Sequence, residues 1–303
     1  GWLQVYNKIL RGEFFMLRKQ AEFKELIEQG KFIEEYVGKE VLKEGSPIII
    51  LEGYEWIREV LSLLAKNINL FESCLDLLEN NMEQEAYILA RSQFNNTLWI
   101  SYLCDDYNNE RTKEYYYEYH ISKLLQFRNI QKYVSENEEK IKNSGAEIIE
   151  ESEIEEKITQ VEALLTSEGY NTEKIYTKSI AKLAKEKQEL FGVYISMYCE
   201  GSEYEHSNRG KVASFREAIL DEYDTDNVFK IELGKSDLTT WKQVFNFALL
   251  NVFYGIDALH SRIESRDKHL FDAGMISEPA MARTLYMIKE LTDKLDAYGV
   301  EPS

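Results

Sequence analysis

Arg91 stands in the stretch Glu85-Ala86-Tyr87-Ile88-Leu89-Ala90-Arg91-Ser92-Gln93-Phe94, an otherwise apolar helical pattern. Tyr87, Asn95 and Leu98 share its face by three- and four-residue spacing. A buried guanidinium is costly unless several oxygens or a planar acceptor meet it. It therefore reads either as an anion clamp in a helical cleft or as a core arginine paired with a carboxylate such as Glu85 or Glu203. The second polar singularity is Ser202-Glu203-Tyr204-Glu205-His206-Ser207-Asn208-Arg209. A histidine just behind a helix C-terminus and beside two carboxylates is stabilised as its cation. His206 is thus a candidate general acid or base, or a loop histidine bonded to a backbone carbonyl. Ser202 and Ser207 read as caps as readily as nucleophiles. Arg91, Tyr87, Asn95, Ser202 and Tyr204 form the expected ligand-binding set, with Arg91 and His206 converging in one polar pocket.

A third constellation is Arg262-Ile263-Glu264-Ser265-Arg266-Asp267-Lys268-His269, an arginine and a histidine with six residues between them. The spacing resembles the Arg-x(4–6)-His motif of helical HEPN ribonucleases, which implies metal-independent RNA cleavage by Arg262 and His269, with His206 and Arg91 as the other candidate catalytic residues. The spacing is unspecific, and Ile263 stands where that motif has a polar residue. Asp105-Asp106 and the Glu-rich stretch 149 to 156 lack the pattern of a calcium loop and read as solvated acidic faces. No metal site and no cofactor are expected.

The elements that must position these residues are helices. Only three Pro and 15 Gly occur in 303 residues, 44% of which are apolar and 13% aromatic. That composition suits long helices and a large core, not many short strands. A face with Phe14, Leu17, Ala21 and Phe23 to Leu26 is expected to end at Gly30. Ser46-Pro47 reads as a helix start leading to about Lys66, with a further run to the turn at Asn80-Asn81. Residues 82 to 105 form the most apolar helix and 110 to 134 a Tyr-rich one. Residues 135 to 168, dense in Glu and Lys, read as an exposed helical arm or hairpin, or a short coiled coil. A packed helical pattern over 173 to 200 ends at Glu200-Gly201. Residues 222 to 236 are a loop or short strand, Ser236-Asp237 starts a long helix, and Ser277-Glu278-Pro279 starts the last one. The expected fold is all-α: a multi-helix antiparallel bundle with a charged helical excursion. Its parts are an N-terminal segment 1 to 44, first half 45 to 134, arm 135 to 170 and second half 171 to 303, with 45 to 303 one composite domain.

A net charge of −18 opposes broad binding to phosphate backbones or anionic lipid. Nucleic acid is expected only at a local basic cleft, and no membrane partner is expected. Another protein, or a second copy through residues 135 to 168, is the expected partner. Three widely spaced cysteines read as free thiols, and Gly1-Trp2-Leu3-Gln4 lacks the features of a signal peptide, so the expected location is cytoplasmic.

At the first two segments the chain resembles the bacterial domain-of-unknown-function 5677 family. The likeness lies in Leu89-Ala90-Arg91-Ser92-Gln93-Phe94, set against an apolar-x-Leu-x-Arg-Ser-x-Phe-Glu pattern, and in the Ser202 to His206 break. Asn95 departs from the Glu of that pattern. The resemblance runs loosely from 45 to 260. It implies an all-α protein in an abortive-infection or phage-defence setting, and no known reaction. A non-enzymatic interaction module and a small-anion sensor clamped by Arg91 are the competing expectations.

Overall fold

The computed structural model describes residues 22–145, 149–206, 209–218, 229–231 and 237–298. Phe14, Leu17, Ala21, Ser207, Asn208, Ser236 and most of the 222 to 236 stretch lie outside the described residues. The protein is all-α, with one two-stranded antiparallel ribbon among the described residues, of β1 (Arg216–Ala218) and β2 (Phe229–Ile231). The chain divides into two compact units, one joining the chain up to Asp105 with that from Ala184, the other Asp106–Leu183. The charged segment falls within the second unit. Among the described residues no helix is long and apolar enough to cross a membrane.

In the first unit α1 (22–36) runs into a π-helical turn, Val37–Val41. Then come α2 (Glu55–Glu79), α3 (Glu83–Cys104), α8 (Gln188–Val193), a second π turn (Tyr194–Tyr198), α9 (Cys199–Glu205), α10 (Arg209–Val212), α11 (Leu238–Arg266), α12 (His269–Asp272) and α13 (Glu278–Ala297). Helices α2, α3 and α11 pack on one another, α13 packs on α11, and α9 packs on α3. Trp56, Phe71, Tyr87, Phe94, Trp241, Phe245 and Phe247 are fully buried between them.

Helix α3 is enclosed on several sides, so it buries polar residues too, and Gln93, Asn96 and Thr97 join a shared hydrogen-bond network. The Asn67 amide donates to the Thr97 hydroxyl (3.0 Å), and Asn96 donates to the Asn67 side-chain oxygen (2.9 Å). Gln93 donates to the Asn67 carbonyl (3.1 Å) and Asn251 to the Ala90 carbonyl (2.9 Å). This network ties α2, α3 and α11 into one register.

Helix starts follow local chemistry. The Asp237 carboxylate accepts from Thr240 N–H (2.9 Å) at the head of α11 and from its hydroxyl (2.5 Å). Ser277 accepts from Ala280 N–H (3.3 Å) ahead of Pro279 at the head of α13, as expected.

Four local expectations are corrected. No helix starts at Pro47: the chain is non-helical until Glu55, and Ile48, Ile49 and Leu51 are exposed, Ile49 by 78%. Three consecutive β-branched residues favour extended backbone, and Gly53, at φ +86°, turns the chain just before Glu55. From there α2 is one helix through Lys66. Gly30 does not break α1: the helix passes through it, and a Cβ there would lie 2.8 Å from a Leu75 methyl. Gly201 does not end its helix either, which continues to Glu205. At both glycines a helix comes close to its neighbour, at Gly30 to the Leu75 methyls and at Gly201 to a buried tyrosine ring.

In the second unit α4 (Glu110–Glu136) and α6 (Glu151–Ser167) form a hairpin, with α5 (Glu138–Ser144) after α4. Tyr117, Ile121, Leu124, Ile154, Ile158, Leu165 and Ile175 make its core. Arg128 bonds Glu162 (2.7 Å), and Lys113 pairs with Glu168 (2.5 Å). The chain then passes to α7 (Ile180–Ala184), where the two units adjoin in sequence.

Candidate functional site

The face of α3 that meets α9 carries Tyr87 and Arg91 one turn apart. Gly201 of α9 lies against both: a Cβ there would fall 2.7 Å from Arg91 Cδ and from two Tyr87 ring carbons. The π turn before α9 re-aims Tyr198, whose ring lies 4.3 Å beneath the Arg91 guanidinium. Tyr198 stacks on Tyr194 (5.2 Å), and Phe94 tilts against it at 5.5 Å. Tyr87 stacks on Tyr204 at 5.3 Å. An Arg91 nitrogen, Nη1, pairs with Glu205, a carboxylate 45% exposed, whereas the arginine side chain is 9% exposed.

A second cation sits on the outer side. Lys211 Nζ lies 4.5 Å over the Tyr204 ring, 3.6 Å from Glu200 and 3.8 Å from Glu203. Burial pulls its amine down, but the Tyr204 hydroxyl and the two carboxylates outweigh that and hold it above its ordinary value. Glu200 accepts from Gln243 of α11 (2.6 Å).

Two donors in this cluster are buried with no acceptor: the Tyr87 hydroxyl and Arg91 Nε. Burial, then Glu200 and Tyr204, push the Tyr87 phenol above its usual range, so it keeps its proton. A buried donor without an acceptor costs about 1–3 kcal/mol. One of the two belongs to the Arg91 guanidinium itself, the other to Tyr87 one helical turn earlier on α3.

The structure brings together Arg91, Tyr87 and Tyr204. The carboxylate on Arg91 is Glu205, not Glu85 or Glu203, because the helix continues past Gly201 and carries Glu205 to the guanidinium. Asn95 follows Arg91 on α3 and has a buried side-chain oxygen without a partner. Ser202 is half-buried, and its carbonyl accepts the His206 N–H (3.0 Å) at the end of α9. The His206 side chain is exposed, one residue beyond Glu205.

Arg262 and His269 take other partners. Arg262 donates to Asp267 (2.8 Å) and to the Cys104 carbonyl (3.2 Å), and its guanidinium lies 4.8 Å over the Trp56 ring. His269 Nε2 shares a 2.9 Å hydrogen bond with the Tyr54 hydroxyl. Cys104 follows Arg91 by 13 residues on α3, about 20 Å along the helix, so these residues form a separate end of the bundle. Sequence reasoning missed Tyr198, Gly201 and Lys211. The Tyr194 and Tyr198 pair at helical spacing, and a glycine inside a helix, were the available signals.

An all-α bundle with an arginine-tyrosine cluster on its most enclosed helix defines the class of this protein. Residues 59–225 match the family described as a family of unknown function (DUF5677), and the chain belongs to that family. The match is narrower than the 45 to 260 expected. No curated protein and no solved structure matches the chain.

Proposed function

We propose that this protein is a non-enzymatic binder of a small anionic ligand. Arg91 is the clamp, Tyr87 the second donor, and Glu205 the carboxylate that holds the guanidinium until a ligand oxyanion displaces it. The observation that carries this reading is the pair of buried, unaccepted donors, Arg91 Nε and the Tyr87 hydroxyl. Glu205 is half-exposed at a helix end and can return to water, but the buried Arg91 needs an oxyanion in its place, which a ligand supplies. The three free thiols, two of them buried, support a reducing, cytoplasmic setting. In a phage-defence setting such a site registers an anionic signal molecule.

Calorimetry with inorganic phosphate, nucleoside mono- and diphosphates and dicarboxylates tests this. Binding is expected for one class, lost in Arg91→Met, weakened about tenfold in Tyr87→Phe, and tightened in Glu205→Gln. Binding by neither wild type nor Glu205→Gln overturns the reading. Cleavage of total RNA without metal, abolished by His206→Ala or by His269→Ala, would replace it with the ribonuclease reading.

A further inference from the structure

A two-helix hairpin buries one stripe of each helix, and the α4–α6 hairpin leaves a second stripe of α4 uncovered. Next to the seam of Tyr117, Ile121 and Leu124, Leu125 and Ile130 are only partly buried. They share a groove of about 480 Å³ with Ser122, Gln126, Asn129 and Tyr133. Tyr119 and Tyr133, 62% and 61% exposed, stand at the ends of the outward row Tyr119, Ser122, Gln126, Asn129, Tyr133. Steps of three and four residues place this row on one face of α4, and its exposed Tyr side chains suit an interface.

Charge selects the occupant. From Tyr119 to Ser135, α4 carries Lys123, Arg128 and Lys132 and no Asp or Glu, in a chain of net charge −18. Helix α6 carries Glu151, Glu153, Glu155, Glu156 and Glu162 against the single Lys157. Glu155 and Glu156 are exposed, away from the seam residues Ile154 and Ile158. Arg128 and Glu162 already show the complementarity within one hairpin.

We propose that the α4 groove docks the acidic outward face of α6 from a second copy of this chain, and that the exchange is reciprocal. One two-fold axis then seats both grooves at once and closes two hairpins into a four-helix bundle. Lys123 and Lys132 of each copy face Glu155 and Glu156 of the other.

Sedimentation equilibrium of the full chain tests this with charge reversals at outward positions. Wild type is expected to dimerise. Lys123→Glu/Lys132→Glu and Glu155→Lys/Glu156→Lys, each retaining helical circular dichroism, are expected to dimerise at least about tenfold more weakly. An equimolar mixture of the two variants is expected to recover the dimer, because the reversed charges match again. A monomeric wild type overturns the proposal and leaves the groove to another protein. A dimer indifferent to both charge reversals, or a mixture that stays monomeric, overturns it as well.

Discussion

Gly201 matters for its lack of a Cβ, not for a left-handed backbone. It stands inside a helix, where glycine costs about 1 kcal/mol relative to alanine, and it allows α9 to rest on the Tyr87 ring and the Arg91 stem. Gly201→Ala regains helix propensity but drives a methyl into a fully buried ring. The expected result is a net loss of about 1–3 kcal/mol in urea unfolding. An unchanged or raised stability would mean that α9 yields to the added methyl. The thiols divide by the same logic of enclosure. Burial pushes Cys74 up to about 12 and raises Cys104 further, so neither is a ready thiolate, whereas Cys199 is exposed.

Among the elements, α11 depends on its first turn. Hydrogen bonds from the Thr240 hydroxyl, and from the Thr240 and Thr239 backbone, hold Asp237 below its ordinary value of 3.8. Its backbone N–H donates to Glu83 of α3 (2.5 Å), so the same residue joins two helix starts. A carboxylate with a depressed folded value contributes stability above its unfolded value and loses it as pH falls through the folded one. The contribution is therefore present at neutral pH and disappears below about pH 4. Asp237→Ala is expected to cost about 1 kcal/mol at pH 7. Asp237→Asn keeps a capping oxygen and is expected to reduce the acid-induced fall in melting temperature. A fall as steep as that of wild type would remove Asp237 from the account of acid stability.

For the whole molecule, 54 acidic residues against 36 basic ones make self-repulsion a standing cost of compaction. Raising salt from about 10 to 150 mM shortens the screening length from about 30 to 8 Å. The thermal midpoint is expected to rise by about a few degrees. A falling midpoint would mean that pairs such as Lys31–Asp76 and Lys31–Glu79 outweigh the repulsion.

The helical class, the capped starts of α11 and α13, and the burial of Arg91 among apolar neighbours were all legible in the sequence. Periodicity, caps and an isolated charge are local signals that need no knowledge of neighbours. The buried network of Asn67, Gln93, Asn96, Thr97 and Asn251 was not legible, because polar residues on a helix look solvated until three helices close around them. Gly30 and Gly201 read as helix ends because a glycine's local meaning is a break. Only packing shows that the missing Cβ serves a neighbouring helix. The same holds for Arg91. The sequence determined that a buried cation must find oxygens, but whether Glu85, Glu203 or Glu205 supplied them depended on where α9 ended. Tertiary contact decided that, by carrying the helix one turn beyond Gly201.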